Sequence, residues 1–507
     1  MRRADIVLLA GVALLLATLA LVSDGAYHDD DLTHYLFARD AWSEPRLFLD
    51  AWGRPGFTLP YALVAWVGSP ETGFMACRLL SVAVTMATAM LTLATAQRMG
   101  LRRPILAAAA LLAMPLYLRL GYTTLTETIA ALYLALGTWL LVRERFRSAA
   151  VAFALLPLAR HEAVVLLILI GALLLRERRW AAALLLGWAL VAWNLLGVAL
   201  FHAWPAAVYL ADRQAEVATY GAGSATFFLL RWLQACGLAG VVMTVVGAVV
   251  LWRRGDRLRM LVPLGALGYV VLQTALYMFN TRASGGYARF LLPVAPWMAL
   301  CVAAGLEAAL ERRNVRRLAL PALALLALCA VGFAVDAGRV HDLAAKVYSA
   351  SDLVRLDEAF TWAAWAFVGL TALAASVAWL DRPRVGAVLL IVLLMAQGAH
   401  LTATVRPHDL GPRAEALRQA VTDVRARLGP DVTLYGWSVW TSWFDRLTSR
   451  HDRYVSMRSD PPPDWGAASV GSVLIWDDKA EVAAPDGARL AEYGPYVIVL
   501  TRVADRL

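Results

Sequence analysis

The chain has 507 residues, of which 60% are hydrophobic and only 17% charged, with a formal net charge of +9. Its apolar residues come in long runs separated by short arginine clusters, the pattern of several membrane-spanning helices, which excludes a water-soluble globular protein. Because the arginines are clustered and not spread along one surface, the positive charge reads as membrane topology and not as a nucleic-acid footprint.

The opening MRRADIVLLAGVALLLATLALVSDGA joins a basic start to an apolar stretch at 5–22. It has no small-x-small cleavage site and reads as an uncleaved first span. Further apolar runs lie near 74–97, 105–118, 127–142, 180–200, 227–252, 260–279, 290–310, 318–335, 361–380 and 385–404. Arginine clusters at 2–3, 98–103, 143–147, 176–179, 253–259, 312–317 and 382–384 mark cytoplasmic ends, so the chain must cross twice between neighbouring clusters. Between Arg147 and Arg176 only 28 residues are available to go out and return. Two arms of ~13 residues reach ~20 Å, short of a hydrocarbon core of ~30 Å. The tip, Arg160-His161-Glu162, is therefore expected to lie below the outer surface, within protein or a water-filled recess. Eleven runs plus these two arms make thirteen crossings, with a cytoplasmic N-terminus and an external C-terminus.

The connections 23–73, 201–226, 280–289 and 336–360, and everything after about 405, then face outward. The expected fold is mainly α, a polytopic transmembrane bundle over 1–404, followed by a small extracytoplasmic α/β domain at 405–507. In that domain 413–428 has helical spacing, and GPDVTLYGW, GSVLIWDD and YVIVLTRV read as short strands. Cys77, Cys236, Cys301 and Cys329 lie in or beside apolar segments without metal-ligand spacing, so neither a disulfide framework nor a zinc site is expected.

The outward segments carry the residues with chemical potential. In AYHDDDLTHYLFARDAW (26–42), Asp29, Asp30 and Asp31 precede Leu32, Tyr35 and Leu36, which suits a short interfacial helix with its acids at the N-terminus. Asp30 and His34 are one turn apart, as are Asp31 and Tyr35. One Asp suffices to cap a helix; three adjacent carboxylates repel, so one must have a raised pKa or a cation must sit nearby. Arg78, near the outer end of the second span, is suited to snorkelling at the interface. Glu127 opens the fourth span, where Thr124 and Glu127 have capping-box spacing, and it shares the outer face with Asp30. Arg160 and His161 occupy the hairpin tip, and NTRASGGYAR (280–289) brings Arg282 and Arg289 in front of Pro293 and Pro296, which should kink the start of a span. A buried guanidinium cannot deprotonate and needs an anion, either Glu162, Glu127 or Asp31 or a lipid-linked phosphate, which Arg matches bidentately. Acids to activate a hydroxyl and cations to hold a phosphate at one membrane face fit group transfer from a lipid phosphate.

In this order the motifs resemble those of the GT-C superfamily of membrane glycosyltransferases, in the branch of the protein O-mannosyltransferases and the lipid A aminoarabinose transferase. The resemblance runs over roughly residues 1–300. An acidic pair followed by an aromatic helix is matched by Asp30-Asp31-Leu32-Thr33-His34-Tyr35, with Asp31 where the family usually has Glu. Arg54-Pro55-Gly56-Phe57 matches an hPPL segment with one Pro replaced by Gly. Arg78-Leu79, Glu127 and Arg289-Phe290-Leu291-Leu292-Pro293 complete the series. The resemblance implies transfer of a sugar from a polyprenyl-phosphate donor to an acceptor hydroxyl, on the extracytoplasmic face and with inversion. It implies Asp30 as the base with Asp31 as fallback, Glu127 orienting the acceptor, and Arg289 with Arg160, His161, Arg282 and Arg78 on the donor phosphate. His34, Tyr35 and Tyr287 are candidate sugar or acceptor contacts. No cofactor is expected, a divalent cation at Asp29, Asp30 and Asp31 being the second choice. The implied partners are the lipid-linked sugar, membrane lipid and an acceptor protein, lipid or glycan, with no nucleic acid, in the plasma (bacterial inner) membrane.

Two other classes compete. A lipid-linked sugar flippase or transporter would place ionisable residues near the midplane and repeat its halves, whereas the mid-span positions here are apolar apart from scattered Asn194, Gln273 and Gln397. A polysaccharide polymerase or ligase would centre on a long external loop with Arg and His, and 201–226 is modest.

Overall fold

The computed structural model describes residues 2–210, 223–255, 257–279, 286–310, 383–429, 431–448, 454–456, 464–477 and 488–501. The expected runs 318–335 and 361–380, the connection 336–360, residues 211–222 of the connection 201–226, Arg282 and Cys329 lie outside them. The protein is mainly helical. Among the described residues, six helices are long and apolar enough to cross a membrane: Arg3–Val22, Pro70–Arg98, Trp180–Phe201, Phe227–Arg253, Met260–Met278 and Ala288–Leu310.

In chain order the helices are α1 (Arg3–Val22), α2 (Asp29–Asp40), α3 (Pro55–Ala65), α4 (Pro70–Arg98), α5 (Ile105–Leu112), α6 (Pro115–Leu120) and α7 (Thr126–Val142). Then follow α8 (Phe146–Phe153), α9 (Leu156–Ala159), α10 (Val164–Arg176), α11 (Trp180–Leu185), α12 (Trp188–Phe201), α13 (Phe227–Arg253), α14 (Arg257–Met278), α15 (Ala295–Leu310) and α16 (Pro383–Thr404). The tight core is α13 against α15. A Cβ on Gly247 would lie 1.7 Å from the Cys301 carbonyl oxygen, so only glycine permits this approach, and Gly305 faces it.

Several apolar runs are not continuous rods. The expected single span at 105–118 is instead two short helices, α5 and α6, separated at Ala113 and Met114. Pro115 cannot donate a backbone hydrogen bond and holds Met114 extended, which stops α5 after 8 residues, ~12 Å of rise. The hairpin read from 148–175 is present as α8 and α9 returning through a 3₁₀ turn (His161–Ala163) into α10, and Arg160, His161 and Glu162 are buried at its tip. Pro293 and Pro296 do mark a change of backbone: Ala288–Val294 is 3₁₀ and α15 begins directly after it.

The break in α13 falls at Gly237, at φ 71°. Gln397 of α16 repairs it: its amide nitrogen donates to the carbonyls of Cys236 (2.8 Å) and Ala113 (2.7 Å), and its oxygen accepts from the Gly240 N–H at 3.4 Å. One buried side chain thus satisfies backbone freed at two helix breaks, as a low-dielectric surrounding demands.

The C-terminal segment adds α17 (Pro412–Leu428), α18 (Val439–Thr448) and strands β1 (Leu434–Gly436), β2 (Tyr454–Ser456), β3 (Val473–Asp477), β4 (Ala488–Tyr493) and β5 (Val497–Thr501). The sheet order is β2-β1-β3-β5-β4, with β1 parallel to β2 and β3, and β5 antiparallel to β3 and β4. Val473, Ile475, Val497 and Val499 join Leu417, Val421 and Val424 of α17 in one buried cluster, while Leu474 and Leu500 pack on Trp465 at the other face. The helix and three strands expected from the sequence are there; α18, β2 and β4 are additional.

Gly237 supplies a test of the helix repair. Gly237→Ala forces a side chain into φ 71° and to 2.2 Å from the Gln397 oxygen, and is expected to lower stability by ~1–3 kcal/mol. Gly255→Ala, at φ 70° with nothing within 4 Å, should lower the thermal midpoint in detergent by less. Equal losses would show that the contact with Gln397 is unimportant.

Candidate active site

Four segments remote in sequence meet at one end of the bundle: α2, the start of α7, the hairpin tip and the 3₁₀ segment Ala288–Val294. Helix α2 starts where it does because His28 caps it, Nδ1 accepting from the Asp30 N–H at 3.2 Å. The same Nδ1 lies 3.4 Å from Asp30 Oδ1, so a protonated His28 would face that carboxylate instead. Asp29, Asp30 and Asp31 occupy the first turn, where successive side chains point about 100° apart. They diverge accordingly. Asp29 accepts from Trp440 Nε1 at 2.8 Å, Asp30 accepts from Arg289 Nη2, and Asp31 points into the protein. Asp31 is fully buried and accepts from the Thr124 N–H (2.5 Å), the Thr124 hydroxyl and the Tyr27 N–H (3.1 Å).

Thr124 therefore does not cap α7, as its spacing to Glu127 predicts. That helix begins at Thr126 with Leu125 as its uncapped N-cap, and the Thr124 hydroxyl is bonded to Asp31 instead. Glu127 is left free to face inward, and it stands at the middle of a charged array. Its Oε1 lies 3.0 Å from Arg160 Nη1 and 3.4 Å from Arg289 Nε. Arg160 also holds Glu162, with Nη2 at 2.6 Å and Nε at 2.8 Å from Oε1. The sequence of contacts is Asp30, Arg289, Glu127, Arg160, Glu162, with signs alternating throughout. All are buried except Asp30, whose side chain is 26% exposed and forms the open end.

Aromatic rings floor the array. Arg160 lies 4.4 Å above Phe290, and Arg289 lies 4.8 Å above Tyr287, which also meets His28 edge-on. Buried polar atoms here that make no hydrogen bond among the described residues include Arg289 Nη1, Glu127 Oε2 and His34 Nδ1. They are the unfilled valences through which the array can take a ligand.

The electrostatics separate the titrating groups. Burial by itself would raise the Asp30 carboxyl, but His28 and Arg289, with His34 behind them, outweigh it and hold the group well below the usual carboxylate range. Burial pushes His34 down to about 3 against the pull of Asp30, and Arg54, Arg289 and Arg160 add to it, so the ring is neutral at physiological pH.

The other residues singled out in the sequence are placed as follows. His34 stacks on Trp52 at 4.9 Å and Tyr287 lies under Arg289, both beside the array. His161 is turned from it, with Nε2 3.0 Å from the Ala51 carbonyl and its ring against Tyr209 and Trp193. Tyr35 is on another face of α2, donating to the Pro70 carbonyl at 2.6 Å. Arg78 donates to the carbonyls of Ser23 and Gly25 and lies 4.2 Å above Phe74, fastening the chain between α1 and α2. Because the three aspartates diverge toward separate donors, they form no common oxygen cage. Among the described residues no group of three or more His, Cys, Asp or Glu is arranged to hold a metal ion.

Sequence reasoning overlooked Arg54. It is 5% exposed, within electrostatic reach of His34, and has φ 64°, rare for a residue with a Cβ. Pro55, at the first position of α3, disfavours the right-handed helical conformation for it. The motif Arg54-Pro55-Gly56 drew attention to its Pro and Gly, and only the three-dimensional placement reveals a third cation.

No protein-family model matches this chain, and no curated protein matches it. It is similar in structure to ArnT from Cupriavidus metallidurans, solved bound to undecaprenyl phosphate, with a TM-score of 0.61 and 16% identity over 100% of this chain and 99% of that one. At that identity the likeness is one of fold, and it agrees with the GT-C architecture that the motifs resemble.

The array makes a stability test available. Arg160→Met leaves Glu127 and Glu162 buried with less compensation and is expected to cost ~3–5 kcal/mol. Adding Glu162→Gln should restore part of the thermal midpoint, since a neutral amide no longer needs the cation. A double variant no more stable than the single one would show that the pair is not coupled.

Proposed function

We propose that this chain is a membrane glycosyltransferase that moves a sugar from a polyprenyl-phosphate carrier to an acceptor hydroxyl, with inversion, at the extracytoplasmic face of the plasma membrane. The observation that carries the reading is the open end of the array. A partly exposed carboxylate is bonded to a buried guanidinium that still has a free N–H, next to a second carboxylate with a free oxygen. Supporting it are the likeness in fold to a protein solved with undecaprenyl phosphate and the gathering at one end of the segments that the arginine count places outside.

The charges balance through the reaction. A sugar-phosphate diester carries one negative charge, and departure of the sugar leaves a monoester with more. Asp30 takes the acceptor proton as the acceptor oxygen attacks the anomeric carbon, so a carboxylate charge disappears while a phosphate charge grows. Arg289, bonded to Asp30 in the resting array, is placed to move its attraction from the carboxylate to the leaving phosphate. Arg54 and Arg160 add positive potential nearby, and Glu127 keeps Arg289 in place and offers Oε2 to the acceptor. Neutral His34 offers a ring nitrogen to a sugar hydroxyl without adding charge.

The reading is tested by transfer from radiolabelled undecaprenyl-phosphate sugars in membranes. Asp30→Asn and Arg289→Gln should each lose at least ~10²-fold in rate. Undiminished transfer in Asp30→Asn removes the mechanism, and donor movement across vesicles without covalent transfer points to a flippase. In addition, a base held below the usual range stays ionised as pH falls. The acidic limb of kcat/KM should therefore lie below the ordinary carboxylate region, and His28→Ala should move it to higher pH. A limb unmoved by His28→Ala would mean that Asp30 is not the group observed.

A further inference from the structure

Of the acids on helix α2 that the array does not use, Asp31 is bonded to Thr124, whereas Asp29 and Asp40 are both held by α18. Trp440 Nε1 donates to Asp29 Oδ1 at 2.8 Å. At the other end Arg446 grips Asp40 bidentately, Nη1 to Oδ1 at 2.8 Å and Nη2 to Oδ2 at 2.9 Å. Residues 29 and 40 are close to three full turns apart, so these contacts fall on one face of α2 at its two ends. Between them Trp443 meets Tyr35 edge-on at 5.9 Å and Phe74 at 5.5 Å. The chain leading into the C-terminal segment is stitched to the chain leading into α2 as well. The His408 N–H donates to the Ser23 hydroxyl at 2.9 Å, and the Gly25 N–H donates to the His408 carbonyl at 2.8 Å.

We propose that Trp440 and Arg446 are positioning residues for the transfer reaction, and that the C-terminal α/β segment serves catalysis by clamping α2. Arg289 is anchored in the bundle by Glu127, whereas Asp30 rides on α2. The distance between the two therefore depends on where α18 holds that helix. A rotation of α2 that released Asp29 would swing Asp30, its neighbour in the first turn, away from Arg289. A misplacement of about 1 Å is enough to cost up to ~10²-fold in rate. This division also accounts for the run of three aspartates: Asp29 docks the C-terminal segment, Asp30 faces the ligand and Asp31 ties the helix to α7.

The inference rests on the proposed transfer reaction, and its test separates the two. In the full-length enzyme in detergent, the pair Trp440→Phe with Arg446→Gln should lower kcat about tenfold or more. Binding of undecaprenyl phosphate and the thermal midpoint should stay near wild type. The charge swap Asp40→Arg with Arg446→Asp should recover rate relative to either single change. Independently of any activity, hydrogen exchange of the amides in 29–40 should be faster in the Trp440→Phe, Arg446→Gln enzyme. If that enzyme does not accumulate, Trp440→Phe alone removes the donor to Asp29 while keeping a ring in place. Unchanged exchange and unchanged kcat overturn the clamp, as does a fall in kcat matched by an equal loss of undecaprenyl phosphate binding. Full transfer by Asp30→Asn overturns the reaction instead and leaves the exchange result to decide on the clamp.

Discussion

A guanidinium inside a protein keeps its proton, so two of them buried side by side dictate where the neighbouring acids must be. Arg160 and Arg289 impose that constraint here. Glu162 and Glu127 answer the first, Glu127 and Asp30 the second, and each belongs to a different part of the chain. The hairpin tip, the start of α7, the 3₁₀ segment before α15 and the interfacial helix α2 are thereby brought to one place. Removing the central Glu127 would leave both cations facing a single acid each. The site is thus also a structural junction, and the one member of the array that reaches the surface, Asp30, is the member with freedom to exchange partners.

The three consecutive aspartates look redundant in the sequence and are not so in the structure. Helical rotation of about 100° per residue turns them toward three surroundings. Trp440 is met by the first, Arg289 by the second and Thr124 by the third. The repulsion expected of adjacent carboxylates is relieved by divergence and by dedicated donors. For Asp30 the relief comes from a cation and an imidazole, which is why its proton affinity falls below that of an ordinary carboxylate and not above it.

Around this junction the helices are interrupted where irregular backbone is needed and repaired where it would be exposed to a low dielectric. Met114 and Pro115 end α5 early, Gly237 breaks α13, and Gln397 closes both gaps with one amide. At the far end of the bundle the Arg103 N–H donates to Glu307 Oε1 at 2.5 Å, fixing α15 against the start of α5. These stitches are polar groups serving backbone, whereas the polar groups of the array serve one another.

The sequence by itself determined the multi-span helical character, the short helical hairpin with charged residues at its tip and the mixed helix and strand content of the C-terminal segment. Hydropathy, arginine placement and the length of a helical residue are all local quantities. It also brought forward Asp30, Glu127, Arg160 and Arg289, because ionisable residues flanking apolar runs are conspicuous. Only the tertiary structure decided that His161, Tyr35 and Arg78 face elsewhere, that Arg54 joins the cations, and that Thr124 serves Asp31 instead of capping α7. It alone showed the aspartates divided among three partners, one of them more than four hundred residues away. The physical reason is that a side chain's charge is written in its identity, whereas the partner that neutralises it is set by which helix faces are packed together, and no local pattern records that.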